Sequence, residues 1–117
     1  MADKTSYNDY FQLNNPLTRI KSRISFNARK KIFKLFMELI RPKGNDSVLD
    51  IGVTPDTYLR ENNFFEKFYP WPENITMTSP EDASNLILEF TKSKFIQTQV
   101  GKPLPFYDHA FDIVFCS

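Results

Sequence analysis

An aspartate and a glycine two residues apart close a short apolar run, Val48-Leu49-Asp50-Ile51-Gly52-Val53-Thr54-Pro55-Asp56. Val48, Leu49 and Ile51 predict a strand covered on both faces. Gly52 lets the backbone turn tightly and lets a ligand approach it closely. Thr54 suits the cap of a following helix, and Pro55 its first position, where no N–H is needed. Strand, glycine turn and helix start make the order that a nucleotide-type site needs. Ligands of open α/β sheets sit beyond the carboxyl ends of the strands. The Asp50 carboxylate is expected either to contact such a ligand or to fix the adjacent loop by hydrogen bonds, and the two roles are compatible.

Other reactive side chains carry weaker signals. His109 is the only histidine and the one candidate base, but it reads first as a polar turn residue before a strand. Cys116 is expected at a strand end as a buried, inert thiol, since no basic neighbour in sequence would lower its pKa. No second cysteine or histidine is available to build a zinc site. A phosphate-binding glycine loop is excluded too, because neither its glycine pattern nor its lysine is present.

The elements that must position Asp50 and Gly52 follow from periodicity. Residues 1–25 read as a polar N-terminal arm whose Tyr7, Tyr10 and Phe11 could dock on the domain or on a substrate. From Arg19 to Lys34 lie seven basic residues, Arg19, Lys21, Arg23, Arg29, Lys30, Lys31 and Lys34, with no acid between Asp9 and Glu38. Within that region Ile32, Phe33, Phe36, Leu39 and Ile40 mark one face of a helix over 26–40. It is a basic amphipathic helix, packed on the domain with a solvated basic face or set against a membrane surface or an RNA backbone.

Arg41-Pro42-Lys43-Gly44 stops that helix, and strand one is expected over 47–51. A helix over 55–69 follows, with Leu59, Phe65 and Phe68 on one side and a break at Asn62-Asn63. Pro70-Trp71-Pro72 ends it. Residues 75–78 predict strand two. Ser79-Pro80-Glu81-Asp82 is a helix start, with Ala83, Leu86, Ile87 and Phe90 as the buried face. Strand three is expected over 94–100, with Phe95 and Ile96 inward, then a rigid loop, then strand four over 111–116. This alternation implies a parallel sheet.

A chain of 117 residues with 41% hydrophobic residues and twelve phenylalanines can bury a core as one domain. Its net charge of +1 gives no bulk argument for nucleic acid or membrane. One cysteine fits a reducing compartment. The start Met1-Ala2-Asp3-Lys4 shows no signal peptide and no apolar run is long enough for a membrane span. The expectation is a cytoplasmic protein.

Three blocks together resemble the class I S-adenosylmethionine-dependent methyltransferases of the small-molecule, type 11 kind. They are Val48-Leu49-Asp50-Ile51-Gly52, the stretch from Ile75 to Asp82, and Leu104-Pro105-Phe106-Tyr107-Asp108-His109-Ala110-Phe111-Asp112-Ile113-Val114-Phe115-Cys116-Ser117. The resemblance covers residues 26–117, a partial methyltransferase domain. It implies an α/β, Rossmann-like core with a parallel sheet in the order 3-2-1-4, preceded by the basic amphipathic helix. It also implies S-adenosyl-L-methionine as cofactor and transfer of a methyl group to an unidentified acceptor. On that resemblance Asp50 and Gly52 contact the cofactor, Val53 and Thr54 follow in the same loop, and Gln99 faces the adenine.

The chain departs from the pattern in several places. The later glycines of the first motif are missing, and Thr54 and Asp56 stand near their places. Met77, Thr78 and Ser79 stand where the ribose-binding acid is usual, with Glu81 or Asp82 as replacements. Gln99 stands where many members have aspartate. The strands beyond the fourth are missing, so the expectation is a truncated or split methyltransferase whose bare fourth strand pairs with a second copy, aggregates or is covered by the N-terminal helix. The alternative function is a non-catalytic fragment or pseudoenzyme acting as a binding or dimerisation module.

Overall fold

The protein, described over residues 16–116 in a computed structural model, builds four strands into one parallel sheet. Helix α1 spans Pro16–Ile40, β1 Val48–Ile51, α2 Phe64–Phe68, β2 Ile75–Ser79, α3 Leu86–Glu89, β3 Lys94–Gln97 and β4 Ile113–Cys116. A single 3-10 turn, Pro72–Asn74, leads into β2. The sheet order is β3-β2-β1-β4, as the resemblance implies, and all three pairings are parallel.

Register explains the core. Val48 pairs Ile75 and Ile113, and Asp50 pairs Met77 and Phe115. Alternation therefore places Val48, Asp50, Ile75, Met77, Ile113 and Phe115 on one face of the sheet. Phe65 of α2 is the hub above that face: 2% exposed, it stacks on Phe115 at 4.5 Å and Tyr69 at 4.7 Å. Phe33 and Phe36 of α1 meet it edge-on at 5.9 and 5.4 Å. These offset and edge-to-face geometries suit the ring quadrupole. The opposite face carries Leu49, Thr76 and Thr78, all buried, but Ile96 and Val114 near the two edges are 37% and 57% exposed.

Several side chains pin the frame. The Asp112 carboxylate accepts from the Ser47 amide at 2.8 Å and from its hydroxyl at 3.2 Å, while the Asp112 amide donates to the Ser47 carbonyl at 3.1 Å. This clamp fixes the entry of β4 beside β1, so Asp112 of the fourth-strand block is a register device. The Asn74 side-chain amide donates to the Gly44 carbonyl at 2.7 Å and ties the loop before β1 to the turn before β2.

The helices differ from expectation. α1 begins at Pro16, ten residues before the expected start, so the boundary at residue 25 falls inside a helix; Tyr7, Tyr10 and Phe11 lie outside the described residues. Phe26, Phe33, Phe36 and Met37 face the domain, whereas Ile32, Leu39 and Ile40, expected on the packed face, are more than half exposed. The helix expected over 55–69 reduces to Phe64–Phe68, because residues 58–63 form turns. Asn63 stands at φ 53, a left-handed conformation that asparagine tolerates and that interrupts a right-handed helix. Phe68, expected inward, is 49% exposed. Ser79 ends β2 instead of capping a helix, and its hydroxyl accepts from the Glu81 amide in a local turn. Only Leu86–Glu89 is helical beyond it, and there Ala83 and Leu86 are buried while Ile87 is 44% exposed. Strand three stops at Gln97, and Ile96 points away from the core face that Phe95 joins, since neighbouring strand residues alternate.

Candidate functional site

Strand order fixes where a ligand of such a sheet would bind. The chain leaves β1 toward β2 on one side, and β4 returns on the other. The carboxyl ends of β1 and β4 therefore flank the point where strand order reverses, the usual crevice of an open α/β sheet. Ile51 and Cys116 are register partners at that end, and Gly52 is the next residue.

Gly52 is exposed and sits at φ 99, a backbone conformation that a side chain would strain. Its amide donates to the Thr78 carbonyl at 2.9 Å, and the Val53 amide donates to the same oxygen at 3.1 Å. The turn thus bends over the end of β2. Both amides are committed within the fold, and the Val53 side chain, 3% exposed, is part of the core. Thr54 does not cap a helix. Its hydroxyl accepts from the Asp56 amide at 3.2 Å, and its own amide and carbonyl are both taken by the Asn63 side chain at 2.9 Å each. Asn63 is therefore a two-point clamp on the loop, a role that its sequence neighbourhood signalled only as a helix break.

A cavity of about 250 Å³ opens over this loop, lined by Arg29, Gly52, Thr54, Asp56, Leu59, Asn62 and Asn63. A second, of about 320 Å³, lies between α1, α2 and the end of β4; Arg29, Ile32, Phe33, Phe64, Phe115 and Cys116 are among its lining residues. Arg29 borders both. In the sequence Arg29 is one of seven basic residues and Asp56 one residue of the first loop, and neither carries a site signal of its own. Helical spacing puts Arg29 on the side of α1 next to Phe33 and Phe36, a signal that could have separated it from the other cations.

Of the residues expected to form the site, Gly52 and Thr54 share the first cavity, and Gln99 is not among its lining residues. Gln99 is exposed beyond β3, its carbonyl accepting from the Lys102 amide at 3.2 Å. Cys116, expected buried, is exposed because β4 is an edge strand. His109 stands in the turn expected of it, at φ 60.

Asp50 lies elsewhere. It is fully buried on the aromatic face of the sheet, and the carboxyl of Glu66 in α2 reaches it. Glu66 is 3% exposed, and no N–H or hydroxyl of the described residues reaches either of its carboxyl oxygens. Burial holds its proton well above the usual carboxylate range, and the hydrogen bond to Asp50 and the charge of Asp50 add to the effect. Two carboxylates in contact in a core cannot both ionise, so they share a proton. Glu66 then donates to Asp50. Among the described residues no group of three or more histidine, cysteine, aspartate or glutamate side chains is placed to hold a metal ion.

No family model matches the chain, and no curated protein and no solved structure matches it either. Among the described residues no helix is long and apolar enough to cross a membrane. The chain has an α/β architecture with a four-stranded parallel sheet.

Proposed function

We propose that the chain binds S-adenosyl-L-methionine at the carboxyl ends of β1 and β4 and serves methyl transfer to an acceptor. The observation that carries the reading is the coincidence, at one strand-order reversal, of the Gly52 turn with a cavity that also holds Arg29 and Asp56. The donor set fits the amino-acid end of that cofactor. The Arg29 guanidinium is suited to a carboxylate, Asp56 to an ammonium, and Gly52 to close backbone approach. The adenosine end is less well provided for, since Ser79 ends β2 where an acid would take the ribose, and Gln99 is the residue left for the adenine edge.

When bound, the cofactor supplies an electrophilic methyl group, and its displacement needs position and electrostatics more than a protein acid or base. The work left to this chain is binding and orientation. Phe33, Phe64 and Phe115 supply an apolar wall beside Arg29 that would exclude water from an acceptor.

A specific observation favours a second, non-catalytic reading. The Gly52 and Val53 amides both serve Thr78, and the Asp50 carboxyl serves Glu66, so three groups of the first motif act within the fold. Thermal melting of the chain with S-adenosylhomocysteine separates the two. A ligand at 100 times its Kd that binds only the folded state adds about 2.7 kcal/mol, so the first reading expects a clear rise in midpoint. An unchanged midpoint at millimolar ligand overturns it in favour of the second.

A further inference from the structure

The side of α1 turned away from the domain is not a plain solvated surface. Phe26, Phe33, Phe36 and Met37 take the packed side. At 100° per residue, Ile20, Ile24, Ala28, Ile32, Leu35 and Leu39 form a separate stripe roughly 120° wide, centred roughly opposite those packed residues, with Ala28 and Ile32 also bordering the cavity beside β4. Its five large members are each more than half exposed, Leu39 the most at 71%. Isolated exposed aliphatics are ordinary, whereas a continuous row along a helix about 37 Å long marks a contact surface.

Charge identifies the partner. By the same helical spacing Lys21 and Lys31 fall on either side of the stripe's midline, and Lys34, with Arg23 beyond it, borders one edge. Glu38 is the only acid in the helix. All four of these cations are exposed. Long basic side chains beside an apolar row can lay their stems on it and lift their charges to the headgroup level. A nucleic-acid backbone would match the cations and leave the isoleucines and leucines in water; an uncharged apolar partner would match the stripe and leave the cations without counter-charge. A bilayer containing anionic lipid matches both at once.

We propose that α1 is an interfacial anchor that lies in the plane of an anionic membrane surface, aliphatic stripe inward, with the sheet held above it by the phenylalanine side. The domain and the bilayer then occupy opposite sides of one helix, and the Gly52 cavity stays on the protein side.

The test is flotation of the full chain with phosphatidylcholine vesicles, with and without about 30% phosphatidylserine. Binding is expected only to the acidic vesicles and is expected to fall by more than about tenfold between roughly 0.05 and 0.5 M salt. Two variants attack the two halves of the surface, Ile24→Ser with Leu35→Ser, and Lys21→Glu with Lys31→Glu and Lys34→Glu. All five positions are exposed, so both proteins should keep the parent's circular dichroism, and each should lose vesicle binding by about tenfold or more. Absence of flotation with acidic vesicles overturns the proposal. So does equal binding to both vesicle types, and so does binding that survives loss of the isoleucine and leucine. Retention on single-stranded RNA unaffected by the serine variant would assign the cations to nucleic acid instead. A doubled mass by light scattering, abolished by the serine variant and paired with no vesicle binding, would assign the stripe to a second copy.

Discussion

The Glu66 carboxyl meets the Asp50 carboxyl inside the core, one from α2 and one from the central strand β1. Both lie among the residues that sequence patterning would fill with aliphatic side chains, since Met77 and Phe115 flank Asp50 in register. The pair requires a proton between its members, and that requirement couples the fold to pH.

Its sign follows from proton binding. Below the ordinary glutamate value of 4.5, Glu66 is protonated in both folded and unfolded chains and contributes no pH dependence. As pH rises past that value, the unfolded chain releases the proton and the folded chain keeps it. Stability is therefore lost with rising pH until the raised folded pKa is passed. Glu66→Gln supplies a permanent N–H donor to Asp50 and removes the titration. The variant should melt higher than the parent at pH 8, with the difference shrinking toward pH 4. A gain of about 1 kcal/mol would read as roughly 4–8 °C in a domain of this size. A pH-independent difference between the two proteins would show that Glu66 is not the titrating group.

Gly52→Val places a β-branched side chain at φ 99. The strain is of order 1–3 kcal/mol, and the Thr78 carbonyl stands to lose two donors. The expected result is a lower urea midpoint together with loss of the S-adenosylhomocysteine shift. A variant with parental stability and parental ligand response would remove this turn from the site.

Arg29→Ala separates binding from folding. Arg29 is exposed on α1 and borders both cavities. Its removal should leave the melt of the ligand-free protein within about 0.5 kcal/mol of the parent while reducing affinity for S-adenosylhomocysteine by about tenfold or more. Calorimetric titration reads the second quantity; an unchanged affinity would place the ligand elsewhere.

Asn63 holds both the amide and the carbonyl of Thr54 while standing at φ 53. Asn63→Gly keeps the backbone conformation and loses the two hydrogen bonds, for a cost of about 1–3 kcal/mol. Asn63→Ala adds the left-handed strain, a further 1–2 kcal/mol or so. Urea denaturation of the two variants should rank parent above glycine above alanine. Equal stability of glycine and parent would mean that the clamp carries no weight.

Phe65→Ala removes the ring shared by α1, α2 and β4. Large-to-small changes at such sites cost about 3–5 kcal/mol, enough to abolish a cooperative melt in a domain of ordinary stability. A cooperative transition near the parental midpoint would place the core elsewhere.

The sequence by itself determined the strands and their company. Val48 to Ile51, Ile75 to Thr78 and Ile113 to Cys116 are short apolar or β-branched runs between turn residues, and local pattern suffices to find them. The parallel order follows from helical segments between strands. The glycine turn was equally legible, because only a residue without a side chain tolerates the φ that the turn uses. What tertiary structure decided was direction. Ile96, Leu39 and Phe68 carry the hydrophobicity of core residues, yet Ile96 and Leu39 point outward and Phe68, against Phe26 and Phe64, is half-exposed, since a four-stranded sheet with two open edges and a half-packed helix has fewer inward positions than apolar side chains. The same geometry turned Asp50 from the end of a strand into the middle of a core, where only the arrival of Glu66 from α2, sixteen residues later, supplies its partner. It also brought Arg29 to the Gly52 loop from a helix that composition alone describes as a run of charge. Those three facts rest on contacts between elements distant in sequence, and no local periodicity encodes them.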